Sequence, residues 1–496
     1  MTHEAGWAHA PGELRGPAWL REPRDPNALV PQLWSSTAHK TEAGDLVVGG
    51  IPVADLVADH NTPAFVLDED DFRARARAFR DAFADFDVFY AGKAFLCTAV
   101  ARWVHEEGLF LDVCSSGELT VALRAGFDPA RIGYHGNNKT VAELRRAVSV
   151  GVGRIIVDSF QEVERLVMVT ADTGLTARVM VRVTAGVEAH THEYIATAHE
   201  DQKFGFSIST GDALEAVRRL TAAPGVELLG LHSHIGSQIF DSSGFEVAAR
   251  RVLALHARVS EELGVTMPEM DLGGGFGIAY TTQDDPSDPA QLATEMGKIV
   301  DHECRALGVD RPRLSIEPGR AIVGPAMCTV YTVGTVKPVT LDAGAVRTYV
   351  SVDGGMSDNI RTALYDADYS CTLAGRRSDA PPALARGGRE PLRGRRHRRA
   401  RRVPAGRRTP GGPARGAGHR RLLPVDGLEL QPPAAAAGDR RARREGDRGG
   451  AAGDRGRPAR HRRRLTPAAA AEVAEVSRRC GGGPPPAPAG PTCRPR

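Results

Sequence analysis

Residues 87–139 read DVFYAGKAFLCTAVARWVHEEGLFLDVCSSGELTVALRAGFDPARIGYHGNNK, and their rhythm decides the fold. Three short apolar runs, Asp87–Tyr90, Leu109–Asp112 and Arg131–Tyr134, are strand-sized and each ends in a polar or glycine-bearing loop. Between them 96–107 and 116–125 carry apolar residues at helical spacing. The same alternation extends in both directions. Ala64–Leu67 and the helix-period stretch 69–83 come before; 140–150, Arg154–Val157, Arg178–Val183, Leu228–His232, Met270–Gly273 and Arg313–Glu317 come after. Strand–helix alternation repeated about eight or nine times predicts an α/β fold with a parallel sheet, most simply a (β/α)8 barrel over 46–320. A doubly wound sheet is the alternative.

The flanks differ in texture. Residues 1–45, with turn formers and scattered tryptophans, read as an N-terminal extension; 46–62 could pair with a second domain. After Arg320, Val323–Val336 and Arg347–Val352 read as strands without intervening helices, so 321–385 begin a β-rich C-terminal domain.

Charge divides the chain more sharply. The formal net charge is +3, yet residues 1–370 hold 33 Lys and Arg against 51 Asp and Glu, a balance of −18. Residues 371–496 hold 31 Arg and no Lys against 10 acids, a balance of +21. This is not a uniformly basic nucleic-acid binder. The tail lacks Phe, Trp, Tyr, Ile, Met, Asn and Lys, and residues 386–496 read as an Arg/Ala/Gly/Pro-rich disordered tail that cannot bury a core. The missing residues have A- or T-rich codons, the composition expected of a GC-rich gene read out of frame. No apolar run approaches the roughly 20 residues of a membrane span. The N-terminus lacks a signal-peptide plan, and seven scattered cysteines form no CxxC pair, which leaves the cytoplasm as the default location and no metal expected.

In a barrel, chemistry collects after the C-terminal ends of strands. Lys93 stands there, in Tyr90-Ala91-Gly92-Lys93-Ala94, one of six lysines beside 58 arginines. A shielded lysine can form a Schiff base with an aldehyde; the plainer reading is a solvated surface lysine. Gly273-Gly274-Gly275 could bring backbone N–H groups to an anion, or merely make a tight turn. No GxGxxG fingerprint favours a nicotinamide enzyme. His234 could stack on a flat ring with Ser237 near a phosphate, or His232 and His234 could be a pair of core or loop histidines satisfied by backbone groups. Glu317 could keep a heterocyclic nitrogen protonated while Arg320 clamps an anion, or the two could form a surface ion pair of little worth.

Taken in order, YAGKAF (90–95), HSHIGSQ (232–238), DLGGGFGI (271–278), EPGR (317–320) and DGGMSDNIRTALYDADY (353–369) resemble the pyridoxal-phosphate-dependent group 4 decarboxylases of alanine-racemase-like fold, most closely the diaminopimelate decarboxylase family. The resemblance spans about residues 40–385. It implies that Lys93 holds pyridoxal 5'-phosphate as a Schiff base, that His234 stacks on its ring and that Ser237, Gly275 and Glu317-Pro318-Gly319-Arg320 bind it, Glu317 at the ring nitrogen. It implies that Arg320, Arg361 and Tyr365 bind the substrate, and that Asp112 and Glu118 are an acidic pair near the cofactor. The implied reaction converts meso-2,6-diaminopimelate to L-lysine and CO2, in lysine biosynthesis, by a homodimer. Ile360 and Thr362 depart from the commoner Pro-Arg-Pro wording.

The family pattern then breaks. Its Cys-Glu-x-Gly-Asp motif, whose cysteine donates a proton across the dimer interface, and a later tyrosine segment are both missing. Residues 386–394, RGGREPLRG, can be encoded so that reading from the second base gives Ala-Val-Gly-Gly-Asn-His-Cys-Glu. Residues 421–431, RLLPVDGLELQ, similarly give Ala-Tyr-Cys-Arg-Ser-Met-Ala-Ser-Asn-Tyr. Two matches in one frame place a frame change near 385–389. Among alternatives, an ornithine- or arginine-type decarboxylase would prefer acidic partners at the far end of its substrate, where Arg320 and Arg361 suit a carboxylate. A basic-tailed nucleic-acid binder lacks aromatic interleaving, and a non-catalytic cofactor carrier fits poorly with the β-rich 323–370.

Overall fold

Eight strands pair in parallel and close on themselves: β1 (Phe86–Ala91), β2 (Phe110–Val113), β3 (Ile132–Tyr134), β4 (Arg154–Val157), β5 (Ala177–Thr184), β6 (Val226–Ser233), β7 (Glu269–Asp271) and β8 (Arg313–Ile316). The ring is sealed by β8 against β1, with Leu314 opposite Phe86, and by β4 against β5, with Ile155 opposite Val179. The predicted barrel is therefore the observed one. This computed structural model describes residues 25, 27–186, 203–340, 346–355, 358–364, 367–378, 383–388 and 423–425, all within the unit Met1–Gln431.

The pleat explains why the interior became a site. Successive strand side chains alternate between faces. On β4, Ile155 and Val157 join the main core between barrel and helices, and on β8 Leu314 and Ile316 do the same. The opposite set points inward: Arg154 of β4 meets Asp271 of β7 and Ser315 of β8 across the barrel. Ile156, Met180 and Leu229 form a separate small apolar cluster among these strands. Each fully buried Val, Leu, Ile or Phe on the outward face contributes roughly 1.5–3 kcal/mol. That layer stabilises the barrel while the inner face carries charge.

Helices α1 (Glu69–Ala82), α2 (Thr98–Glu106), α3 (Ser116–Arg124), α4 (Val141–Val150), α5 (Phe160–Thr173), α6 (Asp212–Ala222), α7 (Ser243–Leu263) and α8 (Pro289–Leu307) surround it. Their starts are set locally. Ser115 caps α3 through Glu118 N–H, and Thr140 and Glu143 make a reciprocal capping box on α4.

One of the nine apolar runs leaves the barrel. Ala64–Leu67 pairs antiparallel with Met327–Val330 instead. Barrel strands are covered on both faces, whereas Phe65 is 57% exposed. The strands after Arg320 also begin later than predicted, because Arg320–Val323 is a helical turn. Val333–Thr340 then pairs antiparallel with Val346–Val352, which runs parallel to Ala383–Gly388. Near the N-terminus Leu46, Val48 and Val53 pack with Val330, and Leu46 N–H donates to Ala374 O at 2.7 Å. Most of 386–496 lies outside the described residues; 386–388 and 423–425 are strand residues.

Candidate active site

The sequence-selected motifs meet at the C-terminal mouth of the barrel. Lys93 lies in a 3-10 turn, Gly92–Ala94, directly after β1. Its ammonium acts electrostatically on Asp112, His135, His232, His234 and Glu317, so side chains contributed by β1, β2, β3, β6 and β8 share one pocket. The turn is held from the opposite side of the seam, where Ala91 N–H donates to Pro318 O. Gly319 presses on the same place: a Cβ there would sit 2.9 Å from the Ala91 Cβ.

Glu317 forms the floor, 5% exposed. His232 Nε2 lies 3.0 Å from Glu317 Oε1, and His135 Nε2 lies 3.2 Å from that oxygen and 3.1 Å from Asp112 Oδ1. Burial holds both imidazoles down to about 3, so they are neutral at pH 7. Burial raises the Glu317 carboxyl, with Asp112 adding to the effect, and raises Asp112 well above the carboxylate range, with Asp271 adding there. His135, His232 and Glu317 bring their ligand atoms within 4.8 Å of one another, a spacing that a small cation could also use.

The glycine segment forms a wall free of side chains. Gly273 (φ +74°) and Gly275 (φ +110°) adopt left-handed backbone, and a Cβ at Gly275 would lie 2.6 Å from Gly236 O. Ile239 N–H donates to Gly275 O, which ties the Gly236-Ser237 loop to this wall. Gly274 N–H donates to His234 Nδ1 at 3.3 Å; that fixes the ring, while burial lowers its pKa. Asp271 anchors the wall by accepting from Gly273 N–H at 2.7 Å.

Arg320 and Arg361 meet through Tyr280. Arg320 hydrogen-bonds the Tyr280 hydroxyl, and the Arg361 guanidinium lies 5.4 Å from the centre of the Tyr280 ring. Burial lowers the Arg320 pKa, with Arg361 contributing to the shift. Glu118 accepts from Cys114 N–H at 2.5 Å, a local bond at the start of α3. Tyr365 lies outside the described residues. Sequence reasoning assigned no role to His135, His232 or Tyr280. The first two stood in quoted strand-end motifs, and their position after β3 and within β6 was the available signal.

A barrel with this mouth defines a class, and the comparisons agree with it. The family described as "Pyridoxal-dependent decarboxylase, pyridoxal binding domain" matches residues 69–324. The diaminopimelate decarboxylase of Mycobacterium tuberculosis (strain H37Rv) is 55% identical over 363 residues, covering 72% of this chain and 81% of the relative. That of Corynebacterium efficiens is 50% identical over 351 residues, covering 71% and 76%. Among solved structures, diaminopimelate decarboxylase from M. jannaschii in complex with L-lysine superposes with a TM-score of 0.65 at 27% identity, covering 71% of this chain and 81% of that one. The chain belongs to the diaminopimelate decarboxylase family. Among the described residues no helix is long and apolar enough to cross a membrane.

Proposed function

We propose that this barrel holds pyridoxal 5'-phosphate and is built to decarboxylate meso-2,6-diaminopimelate to L-lysine and CO2, the last step of lysine biosynthesis. The observation that carries the reading is Glu317, buried at the foot of a glycine wall and bonded by His232, in electrostatic reach of Lys93.

The residues fit such a group. Both Asp112 carboxylate oxygens, His135 Nε2, His232 Nδ1 and Arg320 Nη1 are buried polar atoms with no aligned partner, and a Cβ at any of Gly273–Gly275 would collide with neighbouring backbone, which keeps this wall bare of side chains. Lys93 would hold the cofactor covalently and His234 would lie against its ring. Ser237, Gly275 and the Pro318-Gly319-Arg320 backbone would receive its phosphate, with Glu317 at the ring nitrogen. When bound, the cofactor supplies the electron sink for the pair left as CO2 departs. The protein's part is to orient and to place charge. Glu317 keeps a proton on the ring nitrogen, neutral His234 offers a face without adding charge, and Asp112 stays close to Lys93. Arg320 and Arg361, joined through Tyr280, suit the distal carboxylate of diaminopimelate, with Tyr365 as a further substrate contact. A substrate ending in a plain amine would gain nothing from two guanidinium groups. Glu118 we place beside the site, holding the Cys114 backbone.

As written, the chain has no Cys-Glu-x-Gly-Asp motif and no later tyrosine segment. We infer that its frame changes near 385–389 and that it binds cofactor without normal turnover. Supporting this, the relative's match covers only 72% of the chain. A homodimer in the cytoplasm, with no membrane or nucleic-acid partner, completes the reading on family grounds.

Borohydride reduction of the chain incubated with pyridoxal 5'-phosphate, followed by peptide mass spectrometry, tests the cofactor assignment. A stoichiometric pyridoxyl adduct on Lys93, absent in Lys93→Ala, is expected. Adducts scattered over the other lysines would refute it.

A further inference from the structure

We propose that His232 and His135 are positioning residues that together aim the Glu317 carboxylate at the ring nitrogen of a bound pyridine-type cofactor, a role that rests on the cofactor reading above. Both histidines approach the same oxygen, Oε1, at 3.0 and 3.2 Å, from β6 and from the loop after β3. Their rings stand edge to face, 5.1 Å between centres and 69° between planes. Each therefore limits where the other can move. His232 Nε2 hydrogen-bonds Oε1, while His135 Nε2 stands close to it without an aligned bond, so His232 holds the carboxylate and His135 confines it. Asp112 Oδ1 stands 3.1 Å from His135 Nε2, again without an aligned hydrogen bond.

The chemical type of the two neighbours matters as much as their place. A carboxylate accepts, so His232 Nε2 must be the donor in that bond. Neutral imidazoles orient a carboxylate without cancelling its charge. An arginine in the same place would pair with Glu317 and leave it little reason to hold a pyridinium. The nearby guanidinium is committed elsewhere: Arg154 bonds Asp271 and donates to Ser315 Oγ, and its Cζ lies 3.7 Å from the centre of the Phe89 ring. Glu317 thus meets fixed dipoles in a closed, low-dielectric floor, where preorganisation has most effect. Side chains that merely filled space would not converge on one oxygen.

Binding of pyridoxal 5'-phosphate and of its 1-deaza analogue, in which CH replaces the ring nitrogen, to the full chain tests this role. The wild type is expected to prefer the natural cofactor by about tenfold or more, equivalent to about 1.4 kcal/mol. His232→Leu and His135→Leu should reduce that preference to within about threefold while changing affinity for the deaza analogue little. His232→Gln, which keeps a donor near the Nε2 position, should retain most of it. His232→Asn, polar but too short to reach Oε1, should lose it and serves if the leucine variants do not fold. Equal weakening of both ligands, or an unchanged preference in the leucine and asparagine variants, overturns the positioning role. A wild type that binds both ligands equally at Lys93 overturns it too, with the cofactor reading intact. A wild type that takes up neither ligand overturns both.

Discussion

Asp112 shows how a single residue trades stability for a site. Its carboxyl is buried, lacks an aligned partner and is raised well above the ordinary range, chiefly by burial. The folded state thus keeps a proton that the unfolded chain releases above about pH 4. Folded protein binds more protons there, so stability falls as pH rises from that point through the folded pKa. Asp112→Asn has no such loss. In cofactor-free protein it should melt about 2–4 °C above wild type at pH 8, a gap of about 1 kcal/mol, with the gap closing toward pH 4. Calorimetry across that range checks it; a gap that widens on acidification would be contrary. Lys93, His234, Glu317 and Arg320 were legible because each stood in a motif whose wording carries chemistry. His135 and His232 were not, since a histidine at a strand end has the same sequence appearance whether it packs or positions. Only the distances to Glu317 separate the two readings.

At the scale of elements, the alternation of faces does most of the positioning. Strand residues one apart in sequence separate into an apolar outer layer and a polar inner one, as Ile155 and Arg154 do on β4. Helices close to their predicted bounds followed from apolar spacing and caps such as Thr140-x-x-Glu143. Ala64–Leu67 was misplaced because an apolar run records burial and not its partner, and its partner lies some 260 residues later. Close strand approach was equally hidden. Gly230 of β6 lies opposite Glu269 of β7, so close that a Cβ at Gly230 would sit 1.8 Å from Glu269 O. Gly230→Ala is therefore expected to cost about 1–3 kcal/mol or more, read as an earlier urea midpoint. Wild-type stability in this variant would mean the strands can part at no cost.

For the whole molecule, the net charge of +3 describes neither part of the chain. The acidic portion contains the complete barrel and the mouth residues, with the family match ending at 324. The Arg-rich portion begins where the family's remaining catalytic segments should stand, and the proposed frame change accounts for its basic charge through codon composition. CO2 release from meso-diaminopimelate, measured side by side for the chain as written and for one whose frame is restored near 387, tests the account most directly. We predict robust release, with lysine formed, from the restored chain and at most a trace from the chain as written. Equal release from both, or none from a folded, cofactor-loaded restored chain, would contradict it.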